Sequence, residues 1–229
     1  MSWSSSLRAT ARRTARWRLA RRRTLRWWVV YGPVRSGTTY MMEVIAANAR
    51  VRVSDWGLRH GLGLPPDLPH IRFDRARARA DFSRNVLANA PAGGGRTLDL
   101  VCKSAQMRPD ELQALTEMWG PPERVIFCLR APSGYLASAV RKFPDVDVQA
   151  FRDEYLADIE THEAVGGDLF VYRPDLDTED YRRFLAPLDI PDDPDLRFTY
   201  QGSTADDLVT PEMVDAFERV TGLVRARSR

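Results

Sequence analysis

A chain of 229 residues with 44% hydrophobic and 28% charged residues has the composition of one globular domain with a sizeable core. Two cysteines exclude a disulfide scaffold, and with no apolar run near the roughly 20 residues that cross a bilayer, a membrane-spanning segment is not expected. The net charge of +3 is unevenly spread: residues 1–27 hold nine of the 34 cations and none of the 31 acids, so residues 28–229 carry 25 cations against 31 acids, a net −6.

The basic head, RATARRTARWRLARRRTLRW, has too short an apolar face for an amphipathic anchor and is followed too soon by a polar loop for a secretory signal. Residues 1–26 are read as a flexible basic segment that can meet phosphate or an anionic membrane surface. A disordered arm, or an extension upstream of the true start, fits the same composition. Residues 27–229 are read as one domain.

Trp28–Tyr31 reads as a short buried strand, Gly32-Pro33-Val34-Arg35-Ser36-Gly37 as a turn, and the residues from Thr38 as a helix packing through Tyr40, Met41, Val44 and Ile45. Strand, glycine-bearing loop and helix N-terminus together aim backbone N–H groups at one spot, the geometry of a phosphate site. Gly32 and Gly37 have the spacing of a Walker A loop, yet Thr38 stands where that motif has lysine, and Arg35 is the long cation of the turn. By spacing alone, a plain corner whose Ser and Thr cap the helix remains open.

A second strand is expected around Val51 and Val53, ending at Ser54-Asp55, and then a Gly- and Pro-rich loop that contains His60 and His70. A helix over 73–90 follows. Leu98–Cys102 is the third strand, with Lys103-Ser104-Ala105-Gln106 at its end. Pro109, Asp110 and Glu111 open a helix that runs to about Trp119. Arg124–Leu129 reads as an interior parallel strand, with Arg130 immediately after it and a helix over Pro132–Phe143. Asp145–His162 is helical with Phe151, Tyr155, Leu156 and Ile159 inward. A strand over Asp168–Tyr172 and helices over Thr178–Leu185 and Thr210–Thr221 complete the chain. Cys102 and Cys128 fall in strands and are read as buried thiols of a reducing compartment. Alternating strands and helices predict an α/β fold, three layers with a mostly parallel central sheet, whose chemistry collects beyond the C-terminal strand ends. Three polar clusters then meet at one rim: the Arg35 loop, Lys103-Ser104, and Arg130 with Ser138.

Two of those segments carry a resemblance. RSGTT after an apolar strand resembles the 5′-phosphosulfate loop of the sulfotransferase family, which uses 3′-phosphoadenosine 5′-phosphosulfate. VIFCLRAPSGYLASAVRKF resembles that family's 3′-phosphate segment, in which arginine ends a strand, proline follows two later and serine eight later. Arg130, Pro132 and Ser138 match, while Ala131 replaces the family's usual acid. A weaker echo is FVYRPDLDTEDYRRFLAPLDI, where Tyr172, Arg173 and Asp175 follow the family's late strand. The resemblance spans most of residues 28–222 and implies a P-loop type α/β/α fold.

It also implies transfer of a sulfuryl group to a hydroxyl or amine of a small-molecule or glycan acceptor. Donor contacts fall on Arg35, Ser36, Gly37, Thr38, Thr39, Arg130 and Ser138, with Arg35 stabilising the moving group and Lys103 at the family's strand lysine. Ala105 stands where cytosolic members have a histidine base. Asp55, close to where tyrosylprotein sulfotransferases have a glutamate, and His60 are the competing candidates for the base. A phosphosulfate donor requires no metal, the two buried thiols point to a cytoplasmic protein, the basic head lets it sit at an anionic membrane surface, and no specific nucleic acid is expected. An atypical P-loop kinase and a non-catalytic nucleotide or polyanion binder are the other readings.

Overall fold

The computed structural model describes residues 24–46, 51–53, 96–105, 107–173, 176–188 and 202–222. They form a five-stranded sheet of β1 (Thr24–Gly32), β2 (Val51–Val53), β3 (Thr97–Ala105), β4 (Arg124–Arg130) and β5 (Asp168–Tyr172). The spatial order is β2-β3-β1-β4-β5, and every neighbouring pair is parallel. Among the described residues six α-helices flank it: α1 (Thr38–Ala46), α2 (Pro109–Trp119), α3 (Pro132–Lys142), α4 (Val148–Val165), α5 (Thr178–Leu185) and α6 (Pro211–Thr221). The fold is the three-layer α/β/α arrangement expected from the alternation.

The two-residue period of β1 builds both cores at once. Trp27, Val29 and Tyr31 point to one face, where α2, α3, α4 and α6 pack with Leu115, Leu136, Ile159 and Met213. Trp28 and Val30 point to the other, covered by Met41 and Ile45 of α1 and Tyr181 and Leu185 of α5. β4 behaves likewise, Phe127 and Leu129 on the first face and Ile126 and Cys128 on the second. Both cysteines are buried and free.

Two strands are longer than their apolar runs. β1 starts at Thr24, inside the stretch read as basic head: its backbone pairs with β3 from Thr24 on, and Arg26 Nε and Nη2 both donate to the Asp99 carboxylate at 3.0 Å across that pair. A polar pair of this kind leaves no hydrophobic signal. β3 runs on through Lys103, Ser104 and Ala105, paired opposite Val30, Tyr31 and Gly32, so Lys103 is a strand residue rather than one beyond the strand's end. α4 is shifted from the expected 145–162, since Asp147 Oδ1 accepts from Gln149 N at 3.0 Å and fixes the start there. The bounds of α2, β5 and α5 are those read from sequence. The expected helix over 73–90, the loop carrying Asp55 and His60, and Asp175 lie outside the described residues.

Glu154, Asp158 and His162 recur every four residues and form a polar stripe on the face of α4 that meets the sheet. Glu154 accepts from Val34 N at 3.2 Å, Asp158 from Arg108 Nη1 at 2.6 Å, and His162 Nδ1 lies 3.1 Å from the Tyr31 hydroxyl. Asp158 is wholly buried, and its Oδ2 has no hydrogen-bond partner among the described residues. Burial outweighs the Arg108 charge and raises its pKa to about 7. Glu111, buried beside Arg108, is pushed up to about 7 by the same desolvation.

A carboxyl that holds its proton longer in the folded chain makes stability fall as pH rises from the unfolded value near 4 to the folded value. The slope is at most about 1.4 kcal/mol per pH unit for each such group. Urea midpoints are therefore expected to decline between pH 5 and 7 and to level off above. Asp158→Asn should flatten part of that decline, Glu111 keeping the remainder; an unchanged slope in the variant would show that Asp158 is already ionised at pH 5.

Candidate active site

The site lies where the chain changes direction. From β1 the chain passes through α1 on one face to β2, returns to β3, then crosses over β1 through α2 on the opposite face to reach β4. That switch leaves a crevice at the C-terminal end of β1, the position where open α/β sheets bind ligands. The loop from Gly32 to Gly37 occupies it. Gly32 has φ +140°, and a Cβ there would stand 2.1 Å from the Cys128 carbonyl oxygen of β4, so only glycine lets the loop leave the sheet so closely. Gly37, at φ +86°, packs against the Tyr172 ring, where a Cβ would be 2.8 Å from the nearest ring carbon.

Between them the loop is braced from below. Ser36 N donates to Pro33 O at 3.2 Å and Met41 N to Gly37 O at 3.0 Å, which closes the turn and starts α1. Arg35 is in the left-handed region at φ +67°, the one non-glycine residue there among those described. A side chain pays on the order of 1 kcal/mol to stand there. Its exposed guanidinium crosses the crevice, and Nε donates to Ser138 Oγ at 3.3 Å.

The other half of the site comes from β4 and α3. Arg130 ends β4, nearly buried, with its guanidinium carbon 5.3 Å from the centroid of the Tyr172 ring. Its carbonyl accepts from the Tyr155 hydroxyl at 2.8 Å. Pro132 sits at the first helical position of α3, where a missing N–H costs nothing, and Ser138 lies two turns along.

These segments enclose a cavity of about 410 Å³. Arg35, Lys103, Arg130 and Arg141 supply four cations to its lining. Thr38, Thr39 and Ser138 add hydroxyls, and Tyr40, Phe143 and Tyr172 add rings. No Asp or Glu among the described residues lines it. The volume lies within the roughly 300–1,000 Å³ of small-molecule sites. A concave surface with several cations and a helix N-terminus is built for a ligand with more than one anionic group.

Of the residues expected from sequence, Arg35, Gly37, Thr38, Thr39, Lys103, Arg130 and Ser138 share this one cavity. Ser36 does not line it: the side chain is buried and its Oγ has no hydrogen-bond partner among the described residues. Asp55 and His60 lie outside the described residues. Arg141 and Tyr40 were not anticipated as lining residues. For Arg141 the signal was present, since it lies three positions after Ser138 on one helix face.

No protein-family model matches the chain, and no curated protein matches it. Among solved structures it is similar to a protein of Chloroflexus aurantiacus J-10-fl described as a "putative kinase", with 18% identity over 72% of this chain and 98% of that one, at a TM-score of 0.40. A likeness of that extent carries no argument about chemistry.

Arg35 separates backbone strain from side-chain role. Arg35→Gly removes the left-handed penalty and the guanidinium, whereas Arg35→Ala removes the guanidinium alone. The glycine variant is expected to be about 1 kcal/mol more stable than the alanine variant by urea denaturation, offset in part by the entropy glycine brings to the unfolded chain. An alanine variant at least as stable would mean that φ is not left-handed at this residue in solution.

Proposed function

We propose that the chain is a sulfotransferase that moves a sulfuryl group from 3′-phosphoadenosine 5′-phosphosulfate to a hydroxyl or amine of a small-molecule or glycan acceptor. The observation that carries this reading is the meeting of two separate anion-binding segments, the Arg35 loop and the Arg130–Ser138 pair, in one cavity lined by cations and by no described carboxylate. Such a cavity suits a donor with anionic groups at both ends of a ribose.

In this reading the loop N–H groups, Thr38 and Thr39 hold the 5′-phosphosulfate, and Arg130 with Ser138 holds the 3′-phosphate. The acceptor oxygen or nitrogen forms a bond to sulfur while the bond from sulfur to the bridging phosphate oxygen breaks. The acceptor's proton goes to a base, Asp55 or His60. The leaving group is adenosine 3′,5′-bisphosphate, and negative charge grows on its 5′-phosphate as the bond opens. Arg35 and Lys103 meet that charge from fixed positions, the kind of preorganised stabilisation that lowers a barrier most. Arg35 also spans the two anionic subsites through its contact with Ser138.

A second reading, magnesium-dependent phosphoryl transfer from a nucleoside triphosphate, draws on one observation. Lys103, opposite Val30 in the sheet, lines the same cavity as the loop and offers a phosphate lysine from β3 in place of the one Thr38 replaces. Against it, the described lining provides a loop threonine but no carboxylate to complete a magnesium site.

Calorimetry with adenosine 3′,5′-bisphosphate, AMP and ATP with magnesium distinguishes the readings. Preference for the bisphosphate over AMP is expected. Equal affinity for the two would count against the sulfotransferase reading, and selective binding of ATP with magnesium would favour the kinase. In single-turnover transfer at saturating donor, Arg35→Ala is expected to slow the reaction by about 100-fold, roughly 3 kcal/mol. Arg130→Ala should act chiefly on donor affinity. Similar losses of turnover and affinity from both would reduce Arg35 to simple charge attraction.

A further inference from the structure

We infer that Arg141 is a third ligand of the 3′-phosphate and a determinant of selectivity for 3′-phosphorylated nucleotides, an inference that rests on the donor reading above. Arg141 stands in the last turn of α3, three residues after Ser138, so the two share a helix face, and both line the cavity. A helical side chain leans toward the helix N-terminus and covers the turn before its own Cα. For Arg141 that turn is the one that presents Ser138.

Hydrogen bonding at Ser138 favours the same arrangement. Its Oγ accepts from Arg35 Nε at 3.3 Å, which leaves the hydroxyl's own proton to donate to a group in the cavity. An anion at that point meets the Ser138 hydroxyl, Arg130 from the buried side and Arg141 from the exposed side. Charge makes the second arginine consequential. A phosphomonoester carries close to two negative charges at neutral pH; the nearly buried Arg130 supplies one positive charge, while Arg35, bonded to Ser138, is shared with the loop subsite. Arg141 adds a cation that serves this subsite alone, with a forked donor set, and its position in the last turn of α3 is itself favourable for a cation. Lys142 is the natural comparison, being equally exposed and one residue further on, yet outside the cavity lining.

The test is calorimetry at one fixed ionic strength with adenosine 3′,5′-bisphosphate and with AMP, on wild type, Arg141→Ala and Lys142→Ala. Arg141 is exposed, and circular dichroism checks that its variant remains folded. Arg141→Ala is expected to weaken the bisphosphate about tenfold or more, the ordinary worth of a charge-assisted hydrogen bond, and to leave AMP unchanged. Lys142→Ala should change neither. The inference is overturned if Arg141→Ala binds the bisphosphate as wild type does, if AMP weakens equally, or if Lys142→Ala produces the same loss. If wild type itself does not distinguish the two nucleotides, the donor reading fails first and takes the inference with it.

Discussion

One turn of α4 holds both halves of the cavity. Glu154 accepts the N–H of Val34 in the loop after β1, and its neighbour Tyr155 donates to the carbonyl of Arg130 after β4. Neither residue lines the cavity itself, yet each makes a hydrogen bond to the backbone of a residue that does. Tyr155 is fully buried, and burial keeps its hydroxyl protonated well above the ordinary tyrosine range, so it remains a donor to the Arg130 carbonyl. Because residues 154 and 155 are adjacent on a helix packed into the core, the separation between the glycine loop and Arg130 is set by covalent geometry. Sites that depend on fixed charges need this, since a cation that must move during reaction loses much of its advantage.

The fold also explains how the cavity can gather four cations. Charges of one sign raise each other's energy, and the fold separates them by origin: a loop, two strands and a helix end each contribute one. Arg130, the most buried of the cavity's arginines, has its guanidinium over the Tyr172 ring, which also packs against the Cα side of Gly37. Tyr172 therefore ties β5, the glycine loop and Arg130 together. A larger residue at 37 would push the ring away, and so the loop's second glycine serves the arginine as well as the turn.

The layers of the fold were legible because the central strands are apolar runs and several helices have a recognisable start. Pro109 with two acids opens α2, and Pro132 opens α3, without help from tertiary contacts. Polar cross-strand pairs and polar supports were not legible. Arg26 in the extended β1 is matched by Asp99 opposite, and that partnership is visible once the register is known. α4 read as polar outside and apolar inside, while Glu154, Asp158 and His162 in fact face the sheet; a stripe of buried polar residues at four-residue spacing looks in sequence like a solvated face. The site shows the same division. Residues in contiguous motifs, such as Arg35, Thr38, Arg130 and Ser138, were found, whereas Tyr40 and Arg141 join the cavity only through packing.

The left-handed backbone at Arg35 is the feature that joins the two segments proposed to hold anions. An arginine in an ordinary turn conformation pays no backbone penalty, and glycine would satisfy φ +67° without strain. A loop that keeps a side chain here gains something only the side chain supplies, and its observed contact is Ser138, 103 residues away on α3. Through that contact the loop that would hold one end of a nucleotide is joined to the segment that would hold the other. A ligand filling both subsites meets a preorganised pair, and one filling a single subsite leaves the other cation bound to the protein. If the proposed donor fills both subsites, the connection itself would favour a doubly anionic ligand, beyond the sum of the separate charges.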